Sequence, residues 1–102
     1  MQVSNQVLLR GKVQERQVLA YTPAGTPVSR FQIAHQSVQV EAGRQREVQC
    51  TIEAVALGPL ATELDRLPGD VEHTFSGFLA AKSLRYPRPI LHVTAVLNET
   101  SI

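Results

Sequence analysis

Tyr21-Thr22-Pro23-Ala24-Gly25-Thr26-Pro27-Val28-Ser29-Arg30-Phe31-Gln32-Ile33-Ala34 changes character at Pro27. Its first half is a turn. Pro23 holds φ near the value required at the second position of a β-turn, and Gly25, two residues on, can take φ > 0. Its second half alternates, with Val28, Arg30 and Gln32 opposite Ser29, Phe31 and Ile33, and a period of two is the signature of a strand. A stiff turn feeding a long strand sets a register, and a slip of one residue would exchange every core side chain for a solvent-facing one. The strand is expected over residues 28–38, with Phe31, Ile33 and His35 inward and Arg30, Gln32, Ala34 and Gln36 outward.

Upstream, residues 6–15 read as a first strand, with Val7, Leu9 and Val13 on one face and Leu8, Arg10, Lys12 and Gln14 on the other. Gly11 interrupts it, and an isolated strand glycine marks a bulge or a sharp bend at a barrel corner. Leu8 and Leu9 are adjacent, so one of them points away from the core. That residue is either a scattered surface leucine or a subunit contact, and Val7, Leu8 and Leu9 form the candidate dimer interface.

Downstream, Glu41-Ala42-Gly43-Arg44-Gln45 reads as a hairpin loop. A third strand over residues 47–56 alternates Val48, Cys50, Ile52 and Ala54 with Gln49, Thr51 and Glu53, which places Cys50 on the core side as a buried, inert thiol. Leucines at 57, 60, 64 and 67 form a helical stripe, opened by Pro59 and stopped by Pro68-Gly69. A fourth strand over residues 70–81 sets Val71, His73, Phe75, Gly77 and Leu79 against Glu72, Thr74, Ser76 and Phe78. After the basic loop Lys82-Ser83-Leu84-Arg85-Tyr86-Pro87-Arg88-Pro89, residues 90–97 form a fifth. Three strands, a short helix and two strands is the order of the OB-fold, a five-stranded, partly open Greek-key barrel. The chain is expected to be all-β with one short helix, a single domain over residues 1–102. An SH3-type barrel would not need a helix between the third and fourth strands.

Composition narrows the function. With 102 residues the chain can bury a core without staples. A net charge of +1 does not advertise nucleic acid, so any electrostatic signal lies in its distribution. The single cysteine excludes an internal disulfide and points to no oxidising compartment. The first residues lack a basic region followed by an apolar core, and no apolar run approaches the ~20 residues that span a bilayer. A cytoplasmic protein without membrane contact is expected, in which the sequon Asn98-Glu99-Thr100 is a chance match. His35, His73 and His92 fall on three strands without ligand-like spacing, carboxylates are scattered singly, and no glycine-rich phosphate loop precedes the helix. No metal, cofactor or catalytic residue is expected, and the chain does not read as an enzyme.

Charge is nonetheless segregated. No Asp or Glu occurs between Arg16 and Val40, or between His73 and Asn98, and the second of these stretches carries Lys82, Arg85 and Arg88 around Tyr86. In an OB-fold, the face of the second and third strands and the loop between the last two bind oligonucleotides or oligosaccharides. That loop brings cations for phosphates and an aromatic ring for stacking; the plainer reading is a solvated hairpin. Arg30, Gln36 and Gln49 supply polar groups on the same face, and Lys12 joins them from the first strand. Phe78 should point outward as a base-stacking platform, a subunit contact or the result of a bulge at Gly77.

Asn5-x-Val7-x-Leu9-x-Gly11-x-Val13, the Tyr21 to Val28 stretch and Phe31-x-Ile33-Ala34 resemble the N-terminal half of bacterial single-stranded DNA-binding proteins. His35-Gln36-Ser37-Val38, Glu41-Ala42-Gly43, Gln49-Cys50, Gly77-Phe78-Leu79 and Leu91-His92 are similar to the primosomal replication protein N (PriB) family, a resemblance that covers nearly the whole chain. It implies an OB-fold homodimer that binds single-stranded DNA, assists the primosomal helicase at stalled replication forks and, in some members, engages a helicase-loader accessory protein. Carried over by position, the contacts are Phe78 and the basic loop of Lys82, Arg85 and Arg88. Gln49 stands where some members present a large aromatic, Gln36 where a basic residue is expected, and Leu19-Ala20 where a Lys or Arg precedes the turn. These departures imply weak, salt-sensitive DNA binding.

Overall fold

The computed structural model describes residues 3–97; the sequon at 98–100 lies outside the described residues. The elements are β1 (Val7–Gln14), β2 (Ala20–Tyr21), β3 (Pro27–Glu41), β4 (Arg44–Leu57), α1 (Pro59–Leu64), β5 (Glu72–Ala81) and β6 (Pro89–Leu97). Sheet neighbours run β1-β5-β6-β4-β3, and β1 pairs with β3 as well, so five strands close into a ring. This is the OB-fold. The expected five strands become six because the turn stretch carries its own short strand: Ala20 and Tyr21 pair with Val28 and Pro27. Within that hairpin Gly25 N–H donates to the Thr22 carbonyl at 2.8 Å, and Gly25, last of the three loop residues closed by Thr22 N–H donating to the Thr26 carbonyl, takes φ 86.

Closure rests on β1 serving two neighbours. Val7 to Lys12 pair with β5, and Lys12 to Gln14 pair with β3. The strand therefore bends at Gly11, which is a corner and not a bulge. A Cβ there would sit 2.5 Å from the Ala34 carbonyl oxygen and 2.7 Å from Ile33 Cγ2. Gly77 is equally constrained, because a Cβ would collide with the His92 carbonyl. Beside it, the β5–β6 register shifts between Ser76 and Gly77, leaving Thr94 of β6 without a partner in register. The shortest seam of the ring is the parallel contact of β4 with β6, at Ala54–Leu91 and Val55–His92.

The alternation predicted for the long strand fails at its ends, where Val28, on the outward phase, is buried and His35, expected inward, is half-buried beside an open groove; in the middle Arg30 and Gln36 are exposed while Phe31 and Ile33 are buried. With Val13, Ala54, Ala56, Phe75, Leu91 and Val93 they form the core, where Phe31 and Phe75 meet with ring centroids 6.1 Å apart. The helix adds Ala61 and Leu64, and Leu60 and Leu67 pack from its flanks. Leu57, read as part of the helical stripe, instead ends β4 and is 52% exposed. The Arg16 guanidinium donates to the carbonyls of Asp65 (2.9 Å) and Leu67 just past α1, satisfying acceptors that a helix end leaves open.

Some inward assignments fail where the sheets outrun the core. β3 and β4 continue as a paired arm to a two-residue turn at Ala42-Gly43, tighter than the five-residue loop expected, with φ 54 and φ 77. Both residues have positive φ, as a two-residue hairpin whose twist matches its strands demands. Cys50 pairs with His35 just beyond the buried Ile33, so nothing covers its inward-phase side chain and it is exposed, contrary to the buried thiol expected. Val71 and Leu79, at the two ends of the fourth predicted strand, are likewise exposed, whereas Thr74, expected outward, is buried.

Gly77→Ala should lower stability by about 2–3 kcal/mol, because the added methyl group meets backbone that cannot rotate away. Urea unfolding should show an earlier midpoint with an unchanged slope; a wild-type midpoint would contradict the close approach.

Candidate nucleic-acid interface

Strand register sets the outer face. Across β3 and β4 the pairs on the outward phase are Arg30–Val55, Gln32–Glu53, Ala34–Thr51 and Gln36–Gln49, of which Val55 is covered in a small cluster with Val28 and Ile90. Because Lys12 pairs with both Ala34 of β3 and Glu72 of β5, it enters this face at the closure point. Lys12, Gln36 and Gln49 consequently line one groove of about 720 Å³, together with Ala34, His35, Cys50, Thr51 and Glu72. His35 Nδ1 lies 2.6 Å from the Arg10 carbonyl oxygen and its Nε2 2.7 Å from Ser37 Oγ, which orients the ring. Arg30 and Lys82 meet in a second hollow of about 360 Å³ with Glu15, Arg16, Gln17, Phe31, Gln32 and Glu53.

The loop after β5 folds back onto this face. Its base is tied by Lys82 N–H donating to the Arg88 carbonyl at 3.0 Å, and Ser83 and Tyr86 bond across its tip. Lys82 Nζ lies 2.7 Å from Glu53 Oε2, and Arg88 Nη2 lies 2.9 Å from Glu53 Oε1. Arg85 sits over the Tyr86 ring, 5.5 Å from its centroid. The predicted basic loop is thus half docked and half projecting: Lys82 and Arg88 meet β4, while Arg85 and Tyr86 pair at the exposed tip.

Phe78 is set apart from the groove but not isolated. It is 40% exposed, and its ring stacks on His92 at 5.0 Å with 9° between the planes. The pairings Arg30–Val55, Val55–His92 and His92–Phe78 form one row across β3, β4, β6 and β5. Three strand spacings separate its ends, roughly 14 Å. Of the adjacent residues on β1, Val7 and Leu9 pack against the core and Leu8 is the one that points away, 63% exposed.

Three contributors were not among the site residues expected from the sequence. Glu53 anchors the loop and His92 partners Phe78. Asn5 extends β1 with its side chain: Nδ2 donates to the Leu79 carbonyl at 2.8 Å, and Leu79 N–H donates to Oδ1 at 2.9 Å. The one available signal for Glu53 was its place on an outward phase otherwise occupied by Gln49 and Thr51. Among the described residues, no group of three or more His, Cys, Asp or Glu could hold a metal ion, and no helix is long and apolar enough to cross a membrane.

A family model described as another single-strand binding protein family matches residues 5–95. The replication restart protein PriB of Neisseria gonorrhoeae is 40% identical over 91% of this chain and 92% of its own. That of Nitrosomonas europaea is 34% identical over 87% and 82%. The chain belongs to the PriB family. The solved structure of PriB from Ralstonia solanacearum superposes with a TM-score of 0.85 at 30% identity, covering 96% of this chain and 100% of that one. The PriB family is one of single-strand binding proteins and not of enzymes.

Two cations hydrogen-bonded to one carboxylate hold the Glu53 pKa below its usual 4.5, the Lys82 hydrogen bond foremost and the Arg88 bond next. A carboxylate whose pKa falls on folding adds stability wherever it is ionised. Its contribution is therefore complete above the usual value and lost as pH drops through the lowered one. Wild type should exceed Glu53→Gln in stability by about 1 kcal/mol or less at neutral pH, the size of partly exposed ion pairs. In unfolding titrations this advantage should begin to shrink once the pH falls below about 4.5 and keep shrinking as the acid range deepens. An advantage that does not shrink with falling pH would have another origin.

Proposed function

We propose that this chain is a single-stranded DNA-binding accessory protein of the replication-restart primosome, acting in the cytoplasm as a homodimer and stimulating the primosomal helicase at stalled forks. The observation that carries this reading is the docking of the β5–β6 loop beside the β3–β4 outer face, in a PriB-family chain. Lys82, Arg85 and Arg88 serve phosphates, Tyr86 and Phe78 offer rings to bases, and Arg30, Lys12, Gln36 and Gln49 line the path between them. A helicase-loader accessory protein is the further partner that family resemblance supports.

Gln49 and Gln36 offer neither a ring nor a charge to the strand, and each missing stacking platform forgoes about 1–3 kcal/mol per base. Binding therefore leans on electrostatics. If a dimer engages about six phosphates through its two loops, log affinity should fall against log salt with a slope of roughly −4. Fluorescence anisotropy of a labelled single-stranded oligonucleotide should then show a few hundred-fold weakening between about 50 and 200 mM salt. The variant Lys82→Ala/Arg85→Ala/Arg88→Ala should flatten the slope, and wild-type affinity in that variant would remove the loop from the site.

A second reading, an OB-fold protein-interaction module with little DNA binding, is favoured by the engagement of Lys82 and Arg88 with Glu53 and of Arg85 with Tyr86. It predicts no oligonucleotide shift even at low salt, with a lasting complex on the helicase. A general single-stranded DNA-binding role would instead leave helicase stimulation absent.

For the dimer, Leu8 on the outer face of β1 is the proposed contact, with Val7 and Leu9 holding the strand to its own core. Leu8→Asp should convert the dimer to a single 11.2 kDa chain in sedimentation at micromolar concentration. A wild-type protein that already sediments as one chain would refute the dimer.

A further inference from the structure

Lys82 and Arg88 approach one carboxylate from the two ends of a closed loop, each meeting a different oxygen, at 2.7 Å and 2.9 Å. Two cations sharing an oxyanion in this way form a site that a phosphodiester, with its own pair of charged oxygens, fits equally well. The place is suitable for a strand track. Glu53 and Lys82 also line the hollow that holds Arg30, so Arg30 stands next to the pair, with Arg16 and one further acid, Glu15, in the same hollow. The Arg88 side chain is 58% exposed and that of Lys82 32%, so an incoming strand can reach both without unfolding the loop.

We infer that Lys82 and Arg88 form a phosphate site which Glu53 fills in the free protein, and that single-stranded nucleic acid takes over by moving both cations from the carboxylate to a backbone phosphate. This rests on the single-strand-binding reading. Glu53 is then a competitor built into the face. It keeps the loop docked while no strand is bound and repels the phosphate that displaces it. Weak binding in this chain follows from that competition as well as from the missing aromatic at Gln49.

The test compares wild type and Glu53→Gln by fluorescence anisotropy with an oligo-dT strand across a salt series, alongside Glu53→Gln/Lys82→Ala/Arg88→Ala. Glu53→Gln should bind about tenfold more tightly, the effect of removing one like charge roughly 6 Å from a phosphate at a half-screened surface. Its salt slope should steepen by roughly 0.7 per loop, and the triple variant should lose the gain. Equal or weaker binding by Glu53→Gln, with wild type binding normally, overturns the competition and leaves the DNA reading intact, since Glu53 would then only position the loop. No binding by either protein at low salt overturns both. Should Glu53→Gln fail to fold, the wild-type chain still decides by NMR. On adding oligo-dT, the Glu53 carboxyl carbon should move to its unpaired shift while the Lys82 and Arg88 side-chain nitrogens shift with it. A stationary Glu53 signal at saturation overturns the proposal.

Discussion

The bend of β1 at Gly11 is the constraint on which the barrel depends. One strand has to hydrogen-bond β5 along its first half and β3 along its second, and Lys12 stands in both ladders. The turn is tight enough that the Ala34 carbonyl and the Ile33 side chain fill the space of a Cβ. Without that approach the ring would open between β1 and β3, and the core side chains of both strands would lose their cover. Gly77 performs the same service on the neighbouring strand, where the β6 backbone passes against it.

Closure also makes the outer face. Because β1 turns the corner at Lys12, a side chain from the first strand of the chain reaches the groove formed by β3 and β4. The paired arm beyond the barrel extends this face past the core, which is why Gln36, Gln49 and Cys50 line an open groove. The loop between β5 and β6 returns to the same face through Glu53, so strands distant in sequence share one polar surface.

That surface is balanced rather than strongly positive. Lys82 and Arg88 are matched by a carboxylate, Arg85 is folded over Tyr86, and Glu72 stands in the groove with Lys12. A polyanion held by Lys82 and Arg88 would have to draw both cations away from Glu53. Partly exposed pairs are weak enough for that exchange to occur.

Much of this was legible beforehand, for local reasons. Period-two alternation identified the inward faces of Phe31 and Ile33. Pro23 with Gly25 identified the turn, because each sets or frees its own backbone, whereas Gly11 read only as a bulge or a corner until its approach to Ala34 and Ile33 decided for the corner. The reading lost force where burial depends on what lies across the barrel. Cys50 and Leu79 have the phase of core residues, yet no second layer reaches them; Leu57 has the spacing of a helix, yet pairing with Val28 holds it in β4. The site divides in the same way. Composition and order along the chain determined that basic residues cluster in a loop beside the β3–β4 face. That Glu53, about thirty residues away, pairs with two of them was decided only by the tertiary structure, because strand order across the ring, not distance along the chain, sets which charges meet.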